Sequence, residues 1–113
     1  MAEPRTNADQ LHGTLDMLVL KVLEPGPVDG YCIAVRLQEL SAEVLRVEEG
    51  SLYPALYRME KRGWLDAEWG TSELGRRAKF YRLTRAGRQQ LASHTAAWAA
   101  FSAAVNRALI KAV

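Results

Sequence analysis

Residues 50–63 read GSLYPALYRMEKRG, and this stretch decides the fold of the chain. Leu52, Leu56 and Met59 recur at positions i, i+4 and i+7, the spacing of one face of an α-helix. Because all three side chains are apolar, we expect that face to pack in the core. The opposite face carries aromatic, polar and basic side chains. The pattern therefore predicts an amphipathic helix with one buried and one exposed face.

Three residues indicate where this helix begins and ends. Ser51 is placed to cap its start, so that Pro54 falls in the first turn, where a missing N–H costs nothing. In the middle of a helix, proline would act as a breaker. Gly63 is a natural stop at the other end. We therefore expect a helix that starts at Ser51 and ends at Gly63.

Two strand-like runs follow the helix, at residues 64–69 and 79–84, and they predict an antiparallel hairpin. Tyr81 and Leu83 share a face that should close the sheet against the helices. The seven-residue tip between the runs, residues 71–77, is too long for a two-residue turn. We expect it to project as a mobile wing. A helix followed by such a hairpin is the pattern of a winged helix.

Charge is distributed unevenly along the 113 residues. Residues 1–57 hold four basic and nine acidic side chains, whereas residues 58–113 hold eleven basic and four acidic ones. The overall charge of +2 hides this asymmetry. The basic residues concentrate at the hairpin and the helix start after it. A solvated basic surface would explain such a run by itself, but a recognition-like helix next to it favours a polyanion as the partner.

The exposed helix face and the basic hairpin together predict a DNA-binding surface. A phenol can hydrogen-bond phosphate or stack on sugar, and a hydroxyl near a helix N-terminus lies where phosphate is favoured. Wing arginines could follow phosphates or enter a minor groove. Partial burial of the tyrosines, with their hydroxyls at the rim, is the alternative. The predicted DNA-binding residues are Tyr31, Ser51, Tyr53, Pro54, Tyr57, Arg58, Arg76, Arg77 and Lys79.

Two shorter helices are expected before the recognition helix. Apolar positions at helical spacing predict the first at about 8–24, with Asn7 as candidate N-cap and the Pro-Gly-Pro run at 25–27 as its end. The second is predicted at about 30–41, and Asp29 could cap it. Tyr31, near its start, would lie at the surface close to the DNA.

The last part of the chain predicts one long helix from Arg85, about 40 Å in length. Its heptad pattern places an apolar stripe along one side that a single copy could not cover, so we expect pairing with a second copy. The predicted dimer interface comprises Leu11, Leu15, Leu91, His94, Trp98, Phe101, Val105 and Leu109. Trp98 and Phe101 are also possible effector-binding residues, although a Trp in such a stripe is more often a packing anchor.

The sequence gives little support for a membrane protein, a secreted protein or an enzyme. No run approaches the roughly 20 apolar residues of a membrane span, and the start of the chain lacks a signal-peptide core, so a cytoplasmic protein is expected. No phosphate loop, metal-ligand pair or activated nucleophile is recognisable. We therefore expect no enzyme activity, no cofactor and no metal. Cys32, the single cysteine, lies in an apolar helical pattern and is read as a small buried residue.

Several motifs, in order, resemble the PadR family of transcriptional regulators. They are LDMLVL at 15–20, Gly30-Tyr31, GSLYPAL at 50–56, Gly63-Trp64 and KFYRLTRAG at 79–87. The resemblance implies a mainly helical winged helix-turn-helix protein with a small β-hairpin. It also implies a dimeric repressor that binds an operator with two-fold symmetry. The chain is similar to the short branch of the family, which ends in a single dimerisation helix.

The predicted elements divide the chain into three regions: a flexible N-terminus at 1–7, a DNA-binding domain at 8–84 and a dimerisation helix at 85–113. Many relatives respond to a small molecule. Here a small hydrophobic or aromatic effector and no effector at all both stay open. The rival hypothesis is a winged-helix module that binds protein. Arg76, Arg77 and Lys79 argue against that rival, because the cores of protein interfaces are depleted in lysine.

Overall fold

The computed structural model describes residues 13–111, and it confirms the predicted fold class. In this range the chain is mainly helical, with a small antiparallel sheet whose longer two strands lie between the third helix and the long last one. The elements, in chain order, are α1 (Thr14–Leu23), β1 (Val28–Asp29), α2 (Gly30–Leu40), α3 (Glu49–Lys61), β2 (Leu65–Thr71), β3 (Arg77–Leu83) and α4 (Arg85–Lys111).

The core lies where the three shorter helices meet the sheet and the start of α4. The predicted apolar face of α3 is confirmed, since Leu52, Leu56 and Met59 are all fully buried. Tyr81 and Leu83 of β3 are buried as well, as expected. Burial of these side chains supplies the main favourable free energy of folding. It also fixes which face of α3 remains outside.

One strand, β1, was not predicted. Val28 pairs with Tyr81 and Asp29 with Phe80, so the sheet has three strands in the order β1-β3-β2. Two residues are too short to show the alternation that identifies a strand. Asp29 is also the N-cap residue of α2, as predicted by position, but its side chain makes no capping hydrogen bond. The backbone pairing with β3 therefore anchors the start of α2.

The start of α3 differs from the prediction. Glu48, in an extended conformation, is the N-cap, and its carbonyl accepts hydrogen bonds from the N–H groups of Ser51 (3.0 Å) and Leu52 (2.9 Å). Ser51 is thus the third residue of the helix and caps nothing. Pro54 is the sixth, in the second turn, where it offers no N–H to the carbonyl of Gly50 four residues earlier. The helix tolerates the missing bond because α3 is already anchored by its buried face.

The first helix, as described, begins after Gly13, its N-cap. The predicted start near Asn7 and the predicted flexible segment 1–7 lie outside the described residues. The predicted end is confirmed, because α1 stops at Leu23, just before Pro25.

The hairpin is longer and its tip shorter than predicted. The two strands pair from Leu65 opposite Leu83 to Thr71 opposite Arg77. Only residues 72–76 connect them, so Arg77 belongs to β3 and not to the tip. The N–H of Ser72 donates to the carbonyl of Arg76 (2.8 Å), and the N–H of Gly75 donates to that of Ser72 (2.9 Å). These bonds close the tip into a compact turn.

Thr84 joins the hairpin to α4. Its hydroxyl donates to the carbonyl of Gly63 (2.6 Å), and its Oγ1 accepts the N–H of Gly87 (3.0 Å), so it caps the long helix. Gly87 fits closely here, since a Cβ at that position would lie 2.1 Å from the carbonyl oxygen of Trp64. The long helix is therefore fixed to the turn that follows α3.

Candidate nucleic-acid interface

The outward face of α3 presents Ser51, Pro54 and Tyr57, all of which are exposed. Tyr57 keeps 61% of its surface accessible, and Nζ of Lys61 lies 5.4 Å from its ring centroid. For Tyr57 the structure thus shows an exposed ring, not one buried at a rim. Tyr31, at the start of α2, is exposed to a similar degree. These four residues are available to a partner.

Tyr53 is held more firmly than the other tyrosines. Its ring lies against Gly30, where a Cβ would come within 2.8 Å of its Cε1 atom. Burial raises the pKa of Tyr53, and the carboxylates of Glu49 and Asp29 raise it further. The side chain is nevertheless 43% exposed. Tyr53 therefore has a fixed ring, a neutral hydroxyl and an accessible edge, which suits a hydrogen bond to phosphate.

The earlier start of α3 changes the surroundings of Ser51. The N-terminal turn now carries Glu48 and Glu49, and both are exposed. Two carboxylates oppose the attraction that a helix N-terminus exerts on phosphate. A phosphate contact at Ser51 is therefore less favourable than the sequence indicates, while its hydroxyl remains accessible.

Arg58 has a partner within the protein. Its Nη2 lies 2.5 Å from Oδ1 of Asp16, a carboxylate on α1 that is only 5% exposed. Arg58 therefore neutralises a buried carboxylate and joins α3 to α1. Its side chain remains 43% exposed, and its contact with DNA stays a prediction.

Lys79 is also paired. Its Nζ lies 3.1 Å from Oε1 of Glu60 on α3, and this hydrogen bond raises the pKa of Lys79. Both side chains are about two-thirds buried. The pair engages the charge of Lys79 within the protein, and its contact with DNA stays a prediction. The pair joins β3 to α3 and so sets the position of the wing relative to that helix.

The remaining wing arginines are exposed. Within residues 13–111, neither Arg76 nor Arg77 forms an ion pair. The Cζ atom of Arg77 lies 4.8 Å from the ring centroid of Trp69, which is 58% exposed. Trp69 ends the strand-like run predicted at residues 64–69, but the sequence does not single it out as a binding residue. Two uncompensated positive charges thus stand at the end of the hairpin.

Part of the predicted dimer stripe is buried inside one copy. Leu91 belongs to the core, and the buried His94 meets Trp64 edge to face with ring centroids 6.0 Å apart. These two residues therefore leave little surface for a second copy, and their place in a dimer interface stays a prediction. Leu15 packs partly against the core, and Leu11 lies outside the described residues.

The outer half of α4 retains an apolar surface. Trp98, Val105, Leu109 and Ile110 are exposed, and Phe101 is half-buried with its ring centroid 5.9 Å from that of Trp98. We call these five residues the α4 surface. Of the helices described, none is long and apolar enough to cross a membrane. Residues 13–111 also contain no cluster of His, Cys, Asp and Glu that could hold a metal ion.

Comparison with known proteins gives consistent matches. The family model described as "Transcriptional regulator PadR-like family" matches residues 19–93. A PadR-like transcriptional regulator from Bacillus cereus has a solved structure with 32% identity and a TM-score of 0.74, over 88% of this chain and 95% of the other. A PadR family regulator from Clostridium difficile is 30% identical with a TM-score of 0.72, over 86% of this chain and 99% of the other. A transcriptional regulator of Mycobacterium tuberculosis is 46% identical over 54 residues, which are 48% of this chain and 50% of that protein.

Proposed function

The chain belongs to the PadR-like family of transcriptional regulators, and from this premise we propose that it represses transcription as a DNA-bound dimer. In this proposal α3 enters a groove of double-stranded DNA and the wing contacts the adjacent backbone. Two copies, paired through α4, bind an operator with two-fold symmetry. Each of these steps is supported by a different part of the molecule.

The exposed, unpaired arginines of the wing carry the proposal of DNA binding. Four basic side chains of α3 and the hairpin differ in whether they pair with a carboxylate of the protein. Arg58 and Lys79 are engaged by carboxylates, whereas Arg76 and Arg77 have none among the described residues. An arginine without an internal partner loses little when it exchanges water for phosphate, and phosphate contacts supply most of the affinity of such complexes. The wing is thus the main electrostatic contact.

The exposed face of α3 supplies the remaining contacts. Tyr53 and Tyr57 carry hydroxyls for phosphate or base edges, and Pro54 offers an apolar edge between them. Tyr31 extends this surface from the start of α2. Ser51 contributes a hydroxyl, although the carboxylates at the start of α3 disfavour close phosphate. We assign sequence preference to this face and general affinity to the wing.

The dimer rests on the α4 surface. The helix has 27 residues, about 40 Å in length at the usual rise, and its outer half has an exposed apolar side. Isolated exposed apolar residues are ordinary, but four of them with the half-buried Phe101 on one half of a helix favour an interface. A second copy with the same stripe covers it by symmetry. Pairing would place two recognition helices on one duplex, which explains the two-fold symmetry proposed for the operator.

An effector would bind at the same surface. The tilted rings of Trp98 and Phe101 are large apolar platforms with small alanines around them. A flat hydrophobic or aromatic compound could lie between such rings near the two-fold axis. Binding there would change how the two copies are arranged and so release the operator.

A gel shift tests the DNA-binding proposal. The probe is the duplex upstream of the protein's own gene, with an unrelated duplex of equal length as control, each at about 50 and 200 mM salt. A dimer that neutralises six to ten phosphates loses about 10³ to 10⁵ in affinity over this range. Retention of affinity at the higher salt, or no shift with either duplex, would contradict the proposal and favour the rival protein-binding module.

A further inference from the structure

Trp69 and Arg77 face the same side of the hairpin. Trp69 is opposite Lys79 and Thr71 is opposite Arg77, so Arg77 is the diagonal neighbour of Trp69. The guanidinium carbon of Arg77 lies 4.8 Å from the centroid of the Trp69 ring, within the range of a cation–π contact. Trp69 is more than half exposed, so burial in the core does not explain its position.

This side of the hairpin is continuous with the core. Closer to the helices, the same face carries Leu65 and Tyr81, which are buried, and then Lys79, which is paired with Glu60 of α3. Trp69 is the direct cross-strand neighbour of Lys79 on this face, and Arg77 lies one pair further out. The ion pair of Lys79 with Glu60 therefore links α3 to the strand position next to the Trp69–Arg77 contact.

The chemistry of a cation–π contact leaves the arginine able to bind. When a guanidinium contacts a ring through its flat face, its N–H donors lie in the plane and stay available to a ligand. Holding the side chain in one place also lowers the conformational entropy lost when it meets a ligand. We propose that Trp69 is a positioning residue, which holds Arg77 ready to donate hydrogen bonds to a DNA phosphate. This inference rests on the proposed DNA binding.

Other arginines of the hairpin provide the comparison. Arg82 lies on the opposite face and pairs with Asp66, its Nη2 being 3.5 Å from Oδ2. Arg76 is exposed at the tip, and within the described residues no aromatic ring stacks on it. Arg76 is thus the matched control, an unpaired wing arginine without a tryptophan beneath it.

Fluorescence anisotropy with the labelled upstream duplex tests the proposal. The proteins are wild type, Trp69→Ala, Arg77→Ala and the double variant, with Trp69→Phe as the conservative replacement. Removal of each Trp69–Arg77 contact should weaken binding about two- to fivefold, so a dimer, which has two such contacts, should lose about four- to twenty-five-fold. The Trp69→Phe variant should retain most of the wild-type affinity for DNA. The double variant should bind no more weakly than Arg77→Ala, because Trp69 acts through Arg77.

The salt dependence separates positioning from loss of charge. Trp69→Ala should keep the wild-type salt slope, whereas Arg77→Ala should reduce it by about 0.9 for each phosphate that the variant leaves unneutralised. Unfolding in urea without DNA should show that Trp69→Ala remains folded. An unchanged Kd for Trp69→Ala, or additive losses in the double variant, would overturn the positioning role.

The outcome also distinguishes this inference from the proposed function. If wild type binds with a steep salt dependence and Arg76→Ala weakens it, but Trp69→Ala does not, DNA binding stands and the positioning role fails. If wild type shows no salt-dependent binding to either duplex, the proposed function fails and the positioning role fails with it.

Discussion

Arg58 on α3 and Asp16 on α1 form an ion pair across the core of the domain, 42 residues apart in the sequence. The carboxylate is buried and the guanidinium is partly exposed. The pair thus connects the first described helix directly to the recognition helix. It also explains why one basic residue on the recognition helix is structural.

Loss of Arg58 should destabilise the fold. Arg58→Met leaves the Asp16 carboxylate buried without its partner, which we expect to cost about 1–3 kcal/mol of unfolding free energy, less than a fully buried pair because Arg58 is partly exposed. Adding Asp16→Asn should recover part of that loss. Urea denaturation measures both variants. Equal stability of Arg58→Met and wild type would show that the pair contributes nothing.

A methyl group at Gly87 should displace the long helix. The added Cβ would stand 2.1 Å from the carbonyl oxygen of Trp64, a backbone atom that cannot move away easily. We expect Gly87→Ala to lower the unfolding free energy by about 3 kcal/mol. Gly50→Ala is the matched control, since its Cβ would meet no atom within 4 Å. That variant should be neutral or more stable by up to about 1 kcal/mol. A Gly87→Ala protein as stable as Gly50→Ala would refute the close packing.

Stability should fall in alkaline solution. The hydrogen bond to Glu60 raises the pKa of Lys79 above 10.5, and burial raises the pKa of Tyr81 above 10.0. In both cases the folded protein holds the proton more tightly than the unfolded chain. The stabilisation is therefore complete below about pH 10 and is lost as the pH rises through the folded-state values.

Two variants test which side chains cause the loss of stability at alkaline pH. Lys79→Arg keeps a positive charge beside Glu60 at high pH, and Tyr81→Phe has no proton to lose. Urea denaturation at about pH 8.5 and about pH 10.8 should show a smaller fall for each variant than for wild type. If the unfolding free energy falls equally in wild type and both variants, ionisable groups other than Lys79 and Tyr81 cause the loss of stability.

Charges on the α4 surface should separate the copies. Trp98→Asp with Val105→Asp places carboxylates in the proposed apolar interface, where they would be desolvated without partners. Sedimentation should show a dimer for wild type at micromolar concentration and a monomer for the double variant. Circular dichroism should be little changed, because both positions are exposed in one copy. A monomeric wild type, or a variant that stays dimeric, would contradict the proposed interface.

Local signals in the sequence were enough to predict most of the fold. The i, i+4, i+7 spacing of Leu52, Leu56 and Met59 identified the buried face of α3, and alternation identified the hairpin. The sequence does not predict the short strand β1, because its pairing with β3 joins residues about 50 positions apart. The start of α3 was misplaced because Pro54 can also lie in the second turn when tertiary packing holds the helix.

The candidate site was less predictable than the fold. Charge counting points to the hairpin but cannot separate paired from unpaired basic residues. The partners of Arg58 and Lys79 lie 42 and 19 residues away and meet them only after folding. The same holds for Trp69, whose exposed ring and contact with Arg77 depend on the register of the strands.

The salt dependence of DNA binding is the most direct test of the central claim, that unpaired wing arginines hold this regulator on DNA. Anisotropy titrations of the upstream duplex should compare wild type with the Arg76→Glu, Arg77→Glu double variant at several salt concentrations. We predict a steep, linear fall of log K with log salt for wild type, and for the variant a weaker affinity and a shallower slope on specific and unrelated DNA alike. Identical affinities and slopes for the two proteins would contradict this claim.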